Sequence, residues 1–223
     1  MITYQDQTSL FKLISDRIEK DVECYAFGGT AMMFYGYKDE TKDIDLVFEK
    51  EESRNEFIKA IERIGYAPWE PFRIYIPEKL RDKHRPLVFK LGDGRFDLFV
   101  KKIFKTLISP RMQEDLFAIH DFKGRCNLRV KVLRKEHIVL LKSVTKRDRD
   151  FEDILTIIKK EKNFDWQYFT EEVIWQTMHG DSWVLLDAEK MILELKKYVF
   201  IEQKYLKQLH EAHKKGGTKD SKI

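Results

Sequence analysis

The chain has few cysteines and no long hydrophobic run, and each shortage excludes a class of protein. Two cysteines, Cys24 and Cys126, occur among 223 residues, which excludes a disulfide scaffold and a four-cysteine zinc site. No stretch approaches the roughly 18 consecutive apolar residues of a membrane-spanning helix. The first residues also lack the basic segment and apolar run of a signal peptide. We therefore expect a cytoplasmic protein without a membrane partner.

A large excess of charge of one sign is missing as well. The chain carries 42 Lys+Arg against 38 Asp+Glu, a net charge of +4, which permits an acidic partner without demanding one. Hydrophobic residues make up 43% and aromatic residues 13% of the chain. This composition is too apolar for a disordered protein, and the length is sufficient for a substantial core.

Proline is absent from the second half of the chain, which indicates how the chain is organised. All five prolines lie at or before Pro110, whereas residues 151–215 contain no proline and only Gly180. Because proline interrupts helices, this asymmetry predicts a mixed α/β domain over residues 1–133 and a helical domain over residues 134–213. Residues 214–223 are predicted to be a disordered tail.

The spacing of apolar residues predicts individual helices and strands. Apolar residues recur at helical spacing over residues 10–18, 57–64, 138–144 and 151–158. A further helix is predicted from Met191 through Ile201 toward His210. Short runs of strand character cover residues 44–48, 87–90, 95–100 and 127–132.

A pair of glycines follows a short apolar run and begins the first stretch with chemical meaning. The run from Tyr25 to Phe27 ends at Gly28 and Gly29, which permit a tight turn and a close approach of the backbone to a ligand. Thr30 then opens a helix whose unpaired N–H groups favour a phosphate. For the two glycines alone, a purely structural turn remains an alternative.

Two aspartates stand on the strand that follows this helix. Asp43 and Asp45 are two residues apart, so they point to the same face of the strand. Adjacent carboxylates repel each other unless a cation lies between them, and hard oxygen ligands suit Mg²⁺. Asp97, on a neighbouring strand, is the best candidate for a third ligand. The alternatives are a solvated edge strand for Asp43 and Asp45 and a buried, hydrogen-bonded structural role for Asp97.

These segments carry a family resemblance. GGTAMMFYG at residues 28–36, followed by TKDIDLV at residues 41–47, resembles the signature of the DNA polymerase β nucleotidyltransferase superfamily. The nearest likeness is to small prokaryotic members of the abortive-infection and toxin–antitoxin type. The resemblance implies a nucleotidyltransferase fold of the α/β (α+β) class, a small mixed β-sheet flanked by helices, followed by a C-terminal helical domain.

The same resemblance implies roles for individual residues. Asp43, Asp45 and Asp97 would bind two Mg²⁺ or Mn²⁺ ions, and the turn at residues 28–30 would hold the triphosphate of an NTP. Gly28, Gly29 and Thr30 are therefore the expected nucleotide-binding residues, with Thr30 replacing the serine of many members.

A weaker likeness extends to residues 133–155. Lys142, followed by Arg147, Arg149, Asp150 and Asp153, resembles the Lys…Arg-x-x-Asp helix pair of those proteins. It implies that Lys142 neutralises phosphate charge and that Asp150 orients Lys142 or an acceptor group. The alternatives are that Lys142 is an ordinary surface lysine and that Asp150 and Asp153 only favour a helix N-terminus.

The resulting hypothesis is a metal-dependent nucleotidyltransferase. It would transfer a nucleoside monophosphate from an NTP to a hydroxyl of RNA, such as tRNA, or of a protein, with release of pyrophosphate, in a toxin–antitoxin setting. Two alternatives stay open: a non-catalytic, antitoxin-like module that binds a partner protein, and a small-molecule nucleotidyltransferase of the antibiotic-modifying kind. The basic stretch at residues 79–85 and the lysines Lys101, Lys102 and Lys105 either form solvated faces or follow a nucleic-acid acceptor.

Overall fold

A computed structural model describes residues 1–69, 85–145 and 147–217. The basic stretch at residues 79–85 therefore lies outside the described residues except for Arg85, as does the part of the predicted tail beyond residue 217. The described chain divides into two compact units, one of Met1–Ile103 with Met112–Arg134, the other of Phe104–Arg111 with the residues from Lys135 onward.

Helices occur in both units. In chain order, the helices within the described residues are α1 (Tyr4–Ser15), α2 (Gly28–Phe34), α3 (Glu51–Arg63), α4 (Pro110–Glu114), α5 (Lys135–Ser143), α6 (Asp148–Lys160), α7 (Trp166–His179), α8 (Trp183–Leu195) and α9 (Gln203–Gly217).

The strands belong mainly to the first unit. In chain order they are β1 (Ile2–Thr3), β2 (Val22–Ala26), β3 (Glu40–Thr41), β4 (Asp43–Phe48), β5 (Ala67–Pro68), β6 (Leu87–Leu91), β7 (Gly94–Val100), β8 (Lys102–Ile103), β9 (Thr106–Leu107), β10 (Leu116–Lys123) and β11 (Asn127–Leu133).

The main sheet of the first unit is mixed, as the sequence predicted. Its strands follow the order β10-β11-β2-β4-β7-β6-β5. Strand β4 is parallel to β7 and β11 is parallel to β2, whereas the other neighbours in this order are antiparallel. Strand β4 thus lies in the interior of the sheet, and the predicted α/β class with a small mixed sheet, flanking helices and C-terminal helices is confirmed.

The core of the first unit explains why β4 and β7 have one apolar face. Ile44, Leu46 and Phe48 of β4 are fully buried, and so are Phe96 and Leu98 of β7. They belong to one hydrophobic cluster with side chains of α1 and α3, namely Phe11, Ile14, Phe57 and Ile61. Because side chains alternate along a strand, covering this face with helices leaves the intervening residues on the opposite face.

The second unit has its own apolar core and a short clamped segment. Phe169, Val173, Ile192 and Leu209 are fully buried. The backbone of Leu107 donates to Gln176 Oε1 at 2.9 Å and accepts from Gln176 Nε2 at 2.8 Å. This pair of hydrogen bonds fixes the extended segment against α7.

One predicted helix is wrong in its extent. Instead of running from Met191 toward His210 without interruption, the chain leaves α8 at Leu195 and re-enters a helix only at Gln203. Val199, Phe200 and Ile201 lie in the break, and β-branched and aromatic residues have lower helix propensity than Leu or Lys. Ile201 is buried, so packing stabilises the break.

Among the described residues, no helix combines the length and the apolar composition that a membrane crossing requires.

Candidate functional site

Three carboxylates lie on the sheet face that the helices α1 and α3 leave uncovered. In the parallel pairing of β4 with β7, Asp45 is in register with Asp97, and Asp43 with Arg95. Residues paired in register share a face, and Asp43 and Asp45 share it because they are two apart. The structure therefore brings Asp43, Asp45 and Asp97 together on two adjacent strands.

Arg95 lies among these carboxylates and is absent from the sequence-based site. Its Nη2 donates to Asp43 Oδ2 at 2.7 Å and to Asp97 Oδ2 at 3.0 Å, and its Nε lies 2.9 Å from Asp97 Oδ1. Burial alone would lower the pKa of the Arg95 guanidinium, but the carboxylates of Asp97, Asp43 and Asp45 outweigh it and raise that pKa. Arg95 precedes Asp97 by two residues, so strand alternation could have placed it on the same face.

The absence of a side chain at Gly28 and Gly29 lets the side chains of Asp45 and Thr41 lie close to the backbone of α2. A Cβ atom at Gly28 would lie 2.4 Å from Asp45 Oδ2, and one at Gly29 would lie 2.4 Å from Thr41 Oγ1. Gly28 also has a φ of +56°, a conformation that side chains disfavour. The glycines thus allow α2 to pack directly against β3 and β4.

Thr30 supports the strand that carries Asp45. Its side chain is fully buried, and its Oγ1 accepts a hydrogen bond from the backbone N–H of Asp45 at 2.8 Å. Helix α2 begins at Gly28, two residues before Thr30. As placed, the Thr30 hydroxyl holds β4 in position.

The chemistry of the donors suits a hard divalent cation. Three carboxylates on one sheet face, with a glycine turn beside them, supply oxygen ligands of the type that Mg²⁺ prefers. In their present rotamers, Asp43 and Asp97 both contact Arg95. Within residues 1–69, 85–145 and 147–217, no three acidic, histidine or cysteine side chains converge closely enough to coordinate an ion. The chemistry of these donors fits a metal, and Asp43 and Asp97 would have to release Arg95 to bind one.

The flank of the same sheet face carries charges that are paired with one another. Lys131 Nζ lies 2.7 Å from Glu23 Oε2, and Arg129 contacts both Glu23 and Asp121. The hydroxyl of Tyr25 donates to Glu49 Oε1, and burial together with that carboxylate raises the pKa of Tyr25. These contacts stabilise the flank of the face.

The second predicted group of residues is in the second unit. Lys142 of α5 is nearly buried, and its Nζ lies 2.9 Å from Asp150 Oδ1 and 2.7 Å from Asp153 Oδ2 of α6. Arg147 Nε and Thr145 Oγ1 both donate to Asp150 Oδ2. The structure thus brings Lys142, Asp150 and Asp153 into one cluster that joins two helices.

The electrostatics of this cluster favour the charged form of Asp150. Burial by itself would raise the pKa of Asp150, but the Lys142 ammonium and the hydrogen bonds from Arg147 and Thr145 lower it below its ordinary value. The cluster therefore holds an ionised carboxylate beside a nearly buried ammonium, an arrangement that depends on both partners.

Comparisons with known proteins find distant likeness among solved structures. No protein-family model matches the chain, and no curated protein matches it. Among solved structures, the chain is similar to the crystal structure of ANT(2")-Ia in complex with adenylyl-2"-tobramycin, at 15% sequence identity and a TM-score of 0.43. The match covers 69% of this chain and 88% of that chain. A likeness this distant says nothing about activity or substrate in this chain.

Proposed function

We propose that the chain is a metal-dependent nucleotidyltransferase that transfers a nucleoside monophosphate from an NTP to an acceptor hydroxyl. The observation that carries this proposal is the register of β4 and β7, which sets Asp45 directly beside Asp97 and on the same face as Asp43. Asp45 also abuts the glycine turn at Gly28. The signature resemblance supports the proposal because it implies the same three carboxylates as metal ligands.

The reaction is a displacement at the α-phosphorus. A bond forms between the acceptor oxygen and the α-phosphorus, the bond from that phosphorus to the bridging oxygen breaks, and pyrophosphate leaves with the electron pair. The acceptor hydroxyl loses its proton to a carboxylate oxygen of Asp97. A divalent cation held by Asp43, Asp45 and Asp97 would lower the pKa of that hydroxyl and neutralise charge on the phosphates.

The remaining residues position these groups. Gly28 and Gly29 keep the turn beside Asp45 compact enough for a triphosphate to approach the backbone. Thr30 accepts a hydrogen bond from the backbone N–H of Asp45 and thereby holds the strand backbone that carries this carboxylate. For Lys142 and Asp150, we keep the role that the resemblance implies, with Lys142 as a phosphate contact and Asp150 as its orienting partner.

RNA or a protein is the proposed acceptor, in a toxin–antitoxin setting. Incubation with each α-³²P-labelled NTP, Mg²⁺ and one of three acceptors (total tRNA, cell protein, or an aminoalcohol or sugar) tests both the activity and the acceptor. We expect label in the tRNA or the protein fraction. Label in none of the three fractions, or equal labelling by the Asp43→Asn/Asp45→Asn variant, would contradict the proposal.

A second candidate is a non-catalytic module that binds a partner protein. It is favoured by Arg95, whose contacts with Asp43 and Asp97 stabilise the acidic face without any bound metal. Such a module would show no rise in melting temperature when an NTP and Mg²⁺ are added together, and it would co-purify tightly with a second protein.

A further inference from the structure

Arg95 contacts the oxygen atoms that a divalent cation would need. Its guanidinium reaches Asp43 Oδ2 through Nη2, and it reaches both carboxylate oxygens of Asp97 through Nη2 and Nε. The two hydrogen bonds from Nη2, to Asp43 and to Asp97, are charge-assisted and therefore stronger than hydrogen bonds between neutral groups. A cation that binds Asp43 and Asp97 must therefore replace these contacts.

A metal ion and the guanidinium cannot easily share the two carboxylates. Each bears positive charge, so a divalent ion at ligand distance from Asp43 and Asp97 would be repelled by Arg95 in its present position. Conversely, removing Arg95 takes a positive charge away from these carboxylates, which raises the free energy of the metal-free protein. The same residue thus stabilises the metal-free state and opposes the metal-bound state.

Arg95 can also leave its position without disturbing the core. About a quarter of its side chain is exposed, at 24%, and that of Asp43 is exposed at 29%. The apolar neighbours Phe96 and Leu98 point to the opposite, buried face. The guanidinium can swing toward solvent while β7 stays in the sheet.

We propose that Arg95 is an exchangeable counter-cation that holds Asp43 and Asp97 in the metal-free chain and competes with the divalent cation for them. This inference rests on the proposed function, because it assumes that these carboxylates bind a metal. It assigns to Arg95 a positioning and gating role: the metal affinity of the site is set by how readily the arginine is displaced.

The test compares Mn²⁺ affinity and metal-free stability in matched variants. The Arg95→Gln variant removes the competitor. The Lys90→Gln variant removes the same charge from the adjacent strand, where Lys90 is in register with Arg95 but is exposed and lies over the Trp69 ring. Mn²⁺ binding is measured by the electron paramagnetic resonance signal of the unbound ion, and stability by melting in EDTA.

For Arg95→Gln we expect the Mn²⁺ dissociation constant to fall by about tenfold or more, since one competing charge-assisted contact pair is lost. We also expect a lower melting temperature in EDTA. Lys90→Gln should change both quantities much less. If Arg95→Gln does not fold, Arg95→Lys, which keeps the charge but loses the planar guanidinium, should show a smaller change in the same direction.

The outcomes separate this inference from the proposed function. An Mn²⁺ affinity that is unchanged or weaker in Arg95→Gln, or equally altered in Lys90→Gln, overturns the competition, even if the wild-type protein transfers nucleotides. A gain in Mn²⁺ affinity in a protein that labels no acceptor supports the competition and contradicts the enzyme. Absence of Mn²⁺ binding to any variant at millimolar concentration overturns both.

Discussion

Two clusters of charge in this chain use similar residues in different surroundings. On the sheet face of the first unit, Arg95 bridges Asp43 and Asp97 with side chains that are exposed at 24% for Arg95 and 29% for Asp43. In the second unit, Lys142 bridges Asp150 and Asp153 with side chains exposed at only 8% for Lys142 and 6% for Asp150. Both clusters pair a cation with two carboxylates.

The exposure and the structural support of the two clusters predict that the cation of the first is displaced more readily than that of the second. The aspartates of the first cluster are held by strand backbones, so Arg95 can leave while the sheet persists. The Lys142 ammonium itself joins α5 to α6, and its removal leaves nearly buried carboxylates without it, which is strongly destabilising. The first cluster is therefore suited to exchanging its cation, whereas in the second cluster Lys142 also holds two helices together.

The largest expected effect is on turnover when a carboxylate of the sheet face is lost. Asp45→Asn should reduce nucleotide transfer by about a thousandfold or more, because losing a metal ligand costs several kcal/mol of transition-state stabilisation. The measurement is the initial rate of label transfer from an α-³²P-labelled NTP.

Asp93→Asn is the matched control for this substitution. This variant makes the same Asp-to-Asn substitution at a residue in the exposed turn between β6 and β7. Its transfer rate should equal that of the wild type. Equal losses in the two variants would mean that the sheet face has no special part in the reaction.

The next largest effect is on the stability of the second unit. Lys142→Met should lower the free energy of unfolding by about 3–5 kcal/mol, because Asp150 and Asp153 lose their shared ammonium. Three of the four tryptophans, Trp166, Trp175 and Trp183, belong to this unit, so urea unfolding followed by tryptophan fluorescence reports on it.

The control for this substitution is Lys197→Met, which breaks an exposed pair with Glu194 and should have little effect on the free energy of unfolding. A loss of transfer in Lys142→Met without loss of stability would instead support the phosphate contact.

A smaller effect is expected at the glycine turn. Gly28→Ala places a methyl group against Asp45 at a φ of +56°, whereas Gly92→Ala has the same φ of +56° and no atom within 4 Å of its Cβ. The second substitution should cost about 1 kcal/mol of unfolding free energy for the backbone alone, and the first about 1–3 kcal/mol more for the forced contact. Urea unfolding followed by circular dichroism measures both. Equal losses of unfolding free energy in the two variants would show that Asp45 does not clash with a methyl group at position 28.

The smallest effect concerns acid. The pKa of Asp150 is lower in the folded chain than its ordinary value, so its ionised form stabilises the fold above the unfolded-state pKa of about 3.9. That contribution is lost as the pH falls below this value toward the folded-state pKa. The difference in unfolding free energy between the wild type and Asp150→Asn should therefore be larger at pH 7 than near pH 3. A difference that stays constant over this range would contradict the ion pair.

The sequence predicts side-chain placement correctly where the alternation of side chains along one strand decides which face a residue occupies. Two-residue spacing placed Asp43 and Asp45 on one face, and the alternation of β7 singled out Asp97. The same rule applied to Arg95, but sequence alone did not reveal that β7 runs parallel to β4 in a register that opposes Arg95 to Asp43. That register is a long-range property of the sheet.

Other features depended on packing that no local pattern encodes. The break between α8 and α9 contains neither proline nor glycine, so the apolar spacing continued through it. Strand β10 also departs from simple alternation. Phe117 and Ile119 lie on its exposed face, where the alternation rule predicts polar residues. The roles of the site residues stay predictions until they are tested.

The central claim is that the carboxylates beside Gly28 bind a nucleotide together with a divalent cation. Its most direct test is the melting temperature of the wild type, Asp45→Asn and Asp93→Asn with each NTP, in Mg²⁺ and in EDTA. Because a ligand at about a hundred times its dissociation constant stabilises the native state by about 2.7 kcal/mol, the wild type and Asp93→Asn should melt several degrees higher with an NTP and Mg²⁺ than with an NTP and EDTA. Asp45→Asn should show no such rise. An equal rise in Asp45→Asn, or no rise in any of the three proteins, would contradict the account.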